Sequence, residues 1–302
     1  MLPEKRWKPD AVLRLLLSVF VCYFSGSILV AVIQSLSTGK KITAGFILLA
    51  IAAVGCLTAI PLLARKPWTL ENFTRRMITM LVCFWVGLMC GSLTLKLAGP
   101  LPTVLSAVQL TVAILSFQGA LLFLLPVFLR ENEATFTEAF GWSNQWVHAL
   151  MYGIIAACIF LPVGQALQWI SVQAMEHIPN FPLKPEEQSA VQTVRNSSSW
   201  GHRAVLGIGT IAVAPLAEEI LFRGILYPWI KGAGFPRLAL WVTALAFGAV
   251  HMNLMNFLPL FLLAVVLTLL YEKTNNLVAP IAAHSLFNAV NFIMLLVQTR
   301  PI

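Results

Sequence analysis

Long apolar runs alternate with short polar links along the whole chain. A helix needs about 20 mainly apolar residues to cross the hydrocarbon core of a bilayer. Nine runs approach that length: residues 11–35, 44–64, 78–98, 104–129, 145–169, 203–230, 236–254, 257–272 and 277–298. The seventh and eighth are the least distinct, because Asn253, Asn256 and Pro259 interrupt them. The pattern predicts an all-α integral membrane protein, a polytopic bundle of eight or nine transmembrane helices.

Composition supports a membrane protein and excludes a soluble domain. Hydrophobic residues make up 59% of the chain and charged residues 11%, against about 25% charged residues in an average soluble domain. The net charge of +8 comes mainly from Lys and Arg in the links. Basic residues placed there contact lipid headgroups. We therefore expect the lipid bilayer as a partner and no binding of nucleic acid.

The distribution of basic residues predicts the orientation of the chain. With nine spans, eleven basic residues fall on the side of the N-terminus and seven on the other. Cytoplasmic links carry the excess of Lys and Arg, so we expect a cytoplasmic N-terminus. The first run is too long for a signal peptide and lacks a small-residue cleavage site, which indicates a retained membrane anchor.

Polar segments suggest a division into three regions. Residues 1–169 hold the N-terminal transmembrane helices and contain no recognised motif. Residues 170–202 form a polar loop with three prolines, either a solvated connector or a lid over a substrate entrance. Residues 203–298 carry the candidate chemistry. The five cysteines all lie inside apolar runs without a CxxC pair, so neither a disulfide framework nor a zinc knuckle is indicated.

Two adjacent carboxylates lie deep inside the sixth run. Ten of the twelve acidic residues occupy links, tails or the ends of runs, and the exceptions are Glu218 and Glu219. A buried ionisable group costs about 2.5–3.5 kcal/mol on the insertion scale. Arg223 follows Glu219 by four residues, which predicts an ion pair on one helix face. Glu218 points about 100° away and lacks that partner, so it should face a polar cavity as a general base.

Histidines supply the next polar groups inside apolar runs. His148, His177 and His202 lie at the ends of spans or in the loop, so we expect them at the interface. His251 and His284 are within separate spans. At 1.5 Å per residue, both can reach the bilayer depth of the two carboxylates.

The last run places three polar residues on one stripe of a helix. His284, Asn288 and Asn291 are spaced i, i+4 and i+7. Donors from such a stripe can stabilise the charge that builds on an attacked carbonyl. We expect this role for His284 and Asn288. For Asn291 we expect a polar contact with another helix.

These residues resemble the signature of a known family. The pattern consists of three motifs in order: Glu218-Glu219-x-x-x-Arg223, Phe247-x-x-x-His251 and His284-x-x-x-Asn288. It is similar to that of the CPBP family of intramembrane endopeptidases, which includes type II CAAX prenyl endopeptidases and bacterial Abi proteins. Each motif alone is common, but the ordered set on apolar helices is specific. The resemblance covers residues 203–298.

The resemblance implies a role for each residue. In the family the first Glu of the pair, here Glu218, acts with the His of the second motif, here His251, to activate water. The third-motif His284 and Asn288 stabilise the oxyanion, while Glu219, Arg223 and Phe247 support the site. The implied substrate is a membrane protein or a lipidated peptide.

Three alternatives stay open at this stage. A zinc-dependent version of the same protease is one, because two His and a Glu are competent zinc ligands. We nevertheless predict no metal cofactor, because no HExxH motif is present. A transporter or proton-coupled carrier is the second, since buried carboxylates also mark ion pathways. A non-catalytic scaffold that binds a membrane partner is the third. The sequence does not determine whether the substrate is a lipidated peptide or a membrane protein.

Overall fold

The computed structural model describes residues 7–37, 78, 82, 85, 89, 106–142, 145–178, 189–196 and 199–298. These residues contain no strand, and their continuous segments form nine helices. Their bounds are α1 Pro9–Ser37, α2 Ala107–Glu131, α3 Phe136–Phe140, α4 Trp146–His177, α5 Ser189–Asn196, α6 Trp200–Gly232, α7 Pro236–Val250, α8 Leu254–Thr274 and α9 Val278–Gln298. The all-α class predicted from the sequence is confirmed.

Six of these helices are long and apolar enough to cross a membrane: α1, α2, α4, α6, α8 and α9. The predicted spans 44–64 and 78–98 lie outside the described residues, apart from four isolated helical positions in the second. The seventh predicted span differs from the structure. Helix α7 has 15 residues, which at 1.5 Å per residue reach about 22 Å, less than the roughly 30 Å of the hydrocarbon core. The chain is a multi-pass integral membrane protein.

The chain divides into two compact units. One comprises Lys8–Glu131 and the other Met1–Trp7 with Asn132–Ile302. In the first unit α1 and α2 pack antiparallel. Gly26 allows their backbones to approach, because a Cβ there would clash with the side chain of Ser116.

The second unit contains α3 to α9 and all the candidate site residues. Helix α4 packs along α8 and α9, with the glycine at position 153 against the carbonyl of Ala279. The predicted polar loop 170–202 is partly helical, because α4 continues to His177 and α5 follows. Residues 179–188 of that loop are outside the described residues.

A short segment before α4 covers the turn between α8 and α9. Thr135 caps α3 through the backbone N–H of Glu138, and the Glu138 carboxylate accepts bonds from Thr135 in return. These bonds favour the charged form and lower the pKa of Glu138. Gly141 ends α3 at φ 68°, and a Cβ there would clash with the carbonyl of Asn275. Glycine is therefore required at this position.

Candidate active site

The candidate carboxylates lie in an irregular stretch of α6. Two π-helical segments, Gly209–Val213 and Ile220–Leu226, flank the short α-helical stretch Ala214–Glu219. Both Glu218 and Glu219 belong to that central stretch. The apolar pattern of this span predicts a helix but not the π segments within it. Such π-helical segments are rare in proteins overall, and those that do occur often lie at functional sites.

A proline follows the first π segment and leaves one carbonyl without a donor inside the helix. The backbone N–H of Ala214 donates to the carbonyl of Gly209, five residues earlier. The next residue is Pro215, which has no N–H, so α6 cannot supply the corresponding bond to the carbonyl of Thr210. The side-chain amide of Asn288 donates to this carbonyl instead, at 2.9 Å.

The second π segment is also followed by a proline, but there the carbonyl bonded from outside α6 is the one that α-helical register would assign to it. The N–H of Tyr227 donates to the carbonyl of Phe222, and position 228 is again a proline. In α-helical register the N–H of residue 228 would bond the carbonyl of Gly224. The indole Nε1–H of Trp7 donates to that carbonyl at 3.0 Å in a buried position. Side chains from outside α6 thus bond carbonyls at both proline positions.

Glu219 and Arg223 form a fully buried ion pair. Arg223 Nη1 donates to Glu219 Oε1 at 2.8 Å, which confirms the pairing expected from their spacing. The guanidinium also donates from Nη2 to the carbonyl of Ala264 at 3.0 Å and from Nε to Thr268 Oγ1 at 3.4 Å. The ring of Phe247 lies 4.7 Å from Arg223 Cζ. A buried charge pair needs such additional bonds to offset its desolvation.

The same carboxylate oxygen fixes the ring of His284. Glu219 Oε1 lies 2.8 Å from His284 Nδ1, and His284 is only 2% exposed. The oxygen that accepts from Arg223 acts as a hydrogen-bond acceptor, so Nδ1 carries the proton of this bond and donates it. The other ring nitrogen, Nε2, is therefore directed away from the ion pair and can interact with water or substrate.

A tight turn at the end of α7 sets the position of His251. Helix α7 ends at Val250, Met252 has a positive φ of 49°, and Asn253 caps α8 through the N–H of Asn256. His251 Nδ1 lies 2.7 Å from the carbonyl of Phe247. Because a carbonyl only accepts, Nδ1 must be the protonated nitrogen. His251 thus also presents Nε2 to the site.

Glu218 faces both imidazoles. Its Oε2 lies 4.0 Å from Nε2 of His251 and 4.0 Å from Nε2 of His284. This separation is too long for a direct hydrogen bond but suits a water molecule that bonds both partners. The Glu218 side chain is 12% exposed and that of His251 is 23% exposed. Water or a substrate group can therefore reach these atoms.

Phe247 joins the components of the site. It is fully buried, and its ring centroid lies 5.1 Å from the ring of His251 and 5.5 Å from that of His284. Together with the cation–π contact to Arg223, these contacts fix the relative positions of α6, α7 and α9. Six of the seven residues singled out from the sequence thus form one connected cluster.

Asn288 and Asn291 have different partners from those expected. Asn288 lies one helical turn beyond His284 on α9 and bonds the carbonyl of Thr210. Asn291 donates to the carbonyl of Phe287 in its own helix at 2.9 Å, and the described part of the chain contains no bond from it to another helix. Two further contributors, Thr268 and Trp7, are not predicted from the sequence. The prolines in the sixth span were the available signal for carbonyls that need outside donors.

The polar atoms around Glu218 are spaced more widely than the ligands of a tetrahedral zinc ion. Tetrahedral zinc with ligands at about 2.0–2.1 Å places those ligand atoms about 3.4 Å apart. Both histidine nitrogens lie at 4.0 Å from Glu218 Oε2, so this arrangement is wider than a zinc site. In the part of the chain that the structure describes, no group of three His, Cys, Asp or Glu residues is placed to hold a metal ion.

Comparisons with known proteins agree with these motifs. Residues 200–290 match the family described as type II CAAX prenyl endopeptidase Rce1-like, and this range contains every residue of the three motifs. The uncharacterized protein YpbD of Bacillus subtilis (strain 168) is 35% identical over 155 residues, which cover 49% of this chain and 70% of that protein. No solved structure matches the chain. The chain belongs to the type II CAAX prenyl endopeptidase Rce1-like family and is an intramembrane protease.

Proposed function

We propose that this protease is an endopeptidase that hydrolyses a peptide bond of a membrane protein or a lipidated peptide, with water activated by Glu218 and His251. The observation that carries the proposal is the position of Glu218 Oε2, at 4.0 Å from the Nε2 atoms of both His251 and His284. The two Nδ1–H groups are engaged elsewhere. Three groups that can accept or donate protons therefore converge on one point.

Glu218 is the general base in this mechanism. Its carboxylate takes a proton from a water molecule, and Nε2 of His251 accepts a hydrogen bond from the same water and orients its oxygen. The oxygen then attacks the carbonyl carbon of the scissile peptide bond and forms a tetrahedral intermediate. When the C–N bond breaks, the proton held by Glu218 passes to the departing amine. One water molecule is consumed, and a carboxylic acid and an amine are released.

His284 stabilises the oxyanion of that intermediate. Its Nδ1–H donates to Glu219, and in the doubly protonated ring that the proposal requires, Nε2–H donates to the oxyanion. Asn288 adds the second amide hydrogen of its Nδ2, since the first is bonded to Thr210. Donors fixed before the reaction need no reorganisation in the transition state.

The depth of the site favours a substrate that is already bound to the membrane. Lys231 Nζ bonds Glu272 Oε1 where α6 and α8 end. Glu218 precedes Lys231 by thirteen residues, which is about 20 Å along the helix within a hydrocarbon core of about 30 Å. A scissile bond at that depth requires an extended segment tethered to the bilayer. We propose that the N-terminus of the protease is cytoplasmic.

The proposal is tested by replacing Glu218 with a residue of the same shape that cannot act as a base. In Glu218→Gln the amide occupies the same volume but cannot take a proton, so cleavage should fall by a factor of about 10²–10⁴. The membrane proteomes of cells that produce the wild type or Glu218→Gln are compared to find proteins that accumulate uncut in the variant. The best of these is then cleaved with purified enzyme in nanodiscs. Wild-type turnover by a folded Glu218→Gln enzyme would refute the proposal.

A further inference from the structure

The catalytic stretch of α6 is bounded by two prolines. Pro215 lies three residues before Glu218, and Pro228 lies five residues after Arg223. Each removes a backbone N–H that would otherwise bond a carbonyl of the preceding turn. A buried carbonyl without a donor costs about as much as a lost hydrogen bond. Side chains from outside α6 bond one carbonyl near each proline, Asn288 at Thr210 and Trp7 at Gly224.

Trp7 supplies the bond at the second position. Its indole Nε1–H donates to the carbonyl of Gly224 at 3.0 Å, and the Trp7 side chain is buried. Gly224 is adjacent to Arg223, whose guanidinium bonds Glu219. The bond from Trp7 thus reaches a backbone group next to the ion pair that orients His284.

The space around Gly224 is also closed on its other side. A Cβ at this position would lie 2.6 Å from the ring of Phe140 and 3.2 Å from Leu277. The backbone of α6 is therefore held here by close packing as well as by the indole bond. Displacement of this turn would move Arg223 relative to Glu219.

We propose that Trp7 is a positioning residue of the active site, acting through the Gly224 carbonyl, to which Pro228 has no N–H to donate. This inference rests on the proposed function for its link to catalysis. Trp7 lies outside the residues 200–290 that match the family. It touches no reacting atom, so its loss should lower kcat while leaving KM nearly unchanged.

Trp7→Phe keeps an aromatic ring and removes the N–H. Loss of one buried hydrogen bond should lower kcat about five- to ten-fold. Pro228→Ala returns a backbone N–H that can donate to the Gly224 carbonyl inside the helix. The double variant Trp7→Phe/Pro228→Ala should therefore recover to within about two-fold of the Pro228→Ala enzyme, which is its matched control.

Hydrogen exchange measured in nanodiscs tests the bond without any substrate. Amides of residues 224–227 should exchange about ten-fold faster in Trp7→Phe and return to the control rate in the double variant. If Trp7→Phe does not fold, a benzothienyl alanine placed at position 7 keeps the bicyclic shape and replaces only the N–H. The same exchange and kcat measurements then apply to that protein.

The outcomes separate this inference from the proposed function. Unchanged exchange, or faster exchange without a change in kcat, overturns the role of Trp7. Lower kcat that Pro228→Ala fails to restore also overturns it, because the effect then does not pass through the Gly224 carbonyl. If the wild type cleaves nothing, the proposed function fails, and with it the catalytic role of Trp7, while the exchange data still decide whether the bond holds α6.

Discussion

His284 donates from Nδ1 to the same Glu219 oxygen that accepts from Arg223, at 2.8 Å in both bonds. One buried carboxylate thus neutralises the guanidinium and sets the orientation of the imidazole. Among the residues that the structure describes, the polar partners of Glu218, the adjacent acid, are the two histidine nitrogens at 4.0 Å. The two neighbouring acids therefore have separate tasks, one in structure and one in chemistry.

The buried pair should behave as a unit in stability measurements. Glu219→Gln and Arg223→Met each leave one charge of the pair unpaired in the interior, so each should lower the free energy of unfolding by about 3–5 kcal/mol. The double variant removes both charges and keeps an amide oxygen for His284. It should be more stable than either single variant, as judged by thermal unfolding in detergent.

Additive losses in the double variant would contradict this coupling. Residues that share no interaction lose stability independently, and the shared Oε1 bond would then contribute nothing. Glu218→Gln is the matched control, because it changes the neighbouring acid by the same chemistry. Its unfolding temperature should stay near that of the wild type, since the contacts of Glu218 with described residues are the two at 4.0 Å.

The two histidines should respond differently to the same substitution. His284→Gln disturbs a buried network with Glu219, so both stability and turnover should fall. His251 bonds only a carbonyl of its own helix and is partly exposed. His251→Gln should therefore lower turnover by about 10²–10⁴-fold and leave the unfolding temperature within a few degrees. Circular dichroism melts beside cleavage rates measure both effects, and equal destabilisation by the two variants would contradict the contrast.

The fold class could be predicted from the sequence because few backbone structures can cross a lipid bilayer. Apolar runs of sufficient length must be helical so that their backbone groups bond internally. The length of α7 was harder to predict, since its apolar run continues almost unbroken into α8. The structure ends α7 where Met252 adopts a positive φ and Asn253 caps α8. A one-dimensional hydropathy pattern contains no information on such a turn.

One contact of the site could be predicted from the spacing of residues in the sequence alone. Four residues separate Glu219 from Arg223, and helical geometry made their pairing predictable. The meeting of His251 and His284 with Glu218 depends on packing between three helices, which the sequence only permits. The π segments of α6 depend on partners distant in the chain, such as Asn288 and Trp7. Local propensity cannot predict them.

Metal removal should leave activity unchanged. The mechanism uses Glu218 and His251 to activate water, and the atoms around the reacting point are spaced more widely than zinc ligands. Purified enzyme incubated with EDTA or 1,10-phenanthroline should keep its turnover, and elemental analysis should find much less than one zinc per chain. Loss of activity that added zinc restores would support the zinc-dependent version instead. A known zinc protease assayed in parallel shows that the chelators work.

Asn288 allows a structural bond to be separated from a catalytic one. Its amide donates to the Thr210 carbonyl that Pro215 leaves without a helical donor. Asn288→Ala should therefore lose stability through that carbonyl and lose turnover through the missing oxyanion donor. Removal of one such donor lowers kcat by about 10²–10³-fold. A second substitution can therefore restore the stability without restoring the turnover.

Pro215→Ala should restore only the stability that Asn288→Ala loses. Its new N–H can bond a carbonyl of the preceding turn, so Asn288→Ala/Pro215→Ala should regain the unfolding temperature of Pro215→Ala while turnover stays low. Melting curves and single-turnover cleavage of the four proteins measure the two quantities separately. Recovery of turnover to within about three-fold of Pro215→Ala would show that Asn288 only holds α6 in place. Low turnover at restored stability is the result that an amide donor to the oxyanion requires.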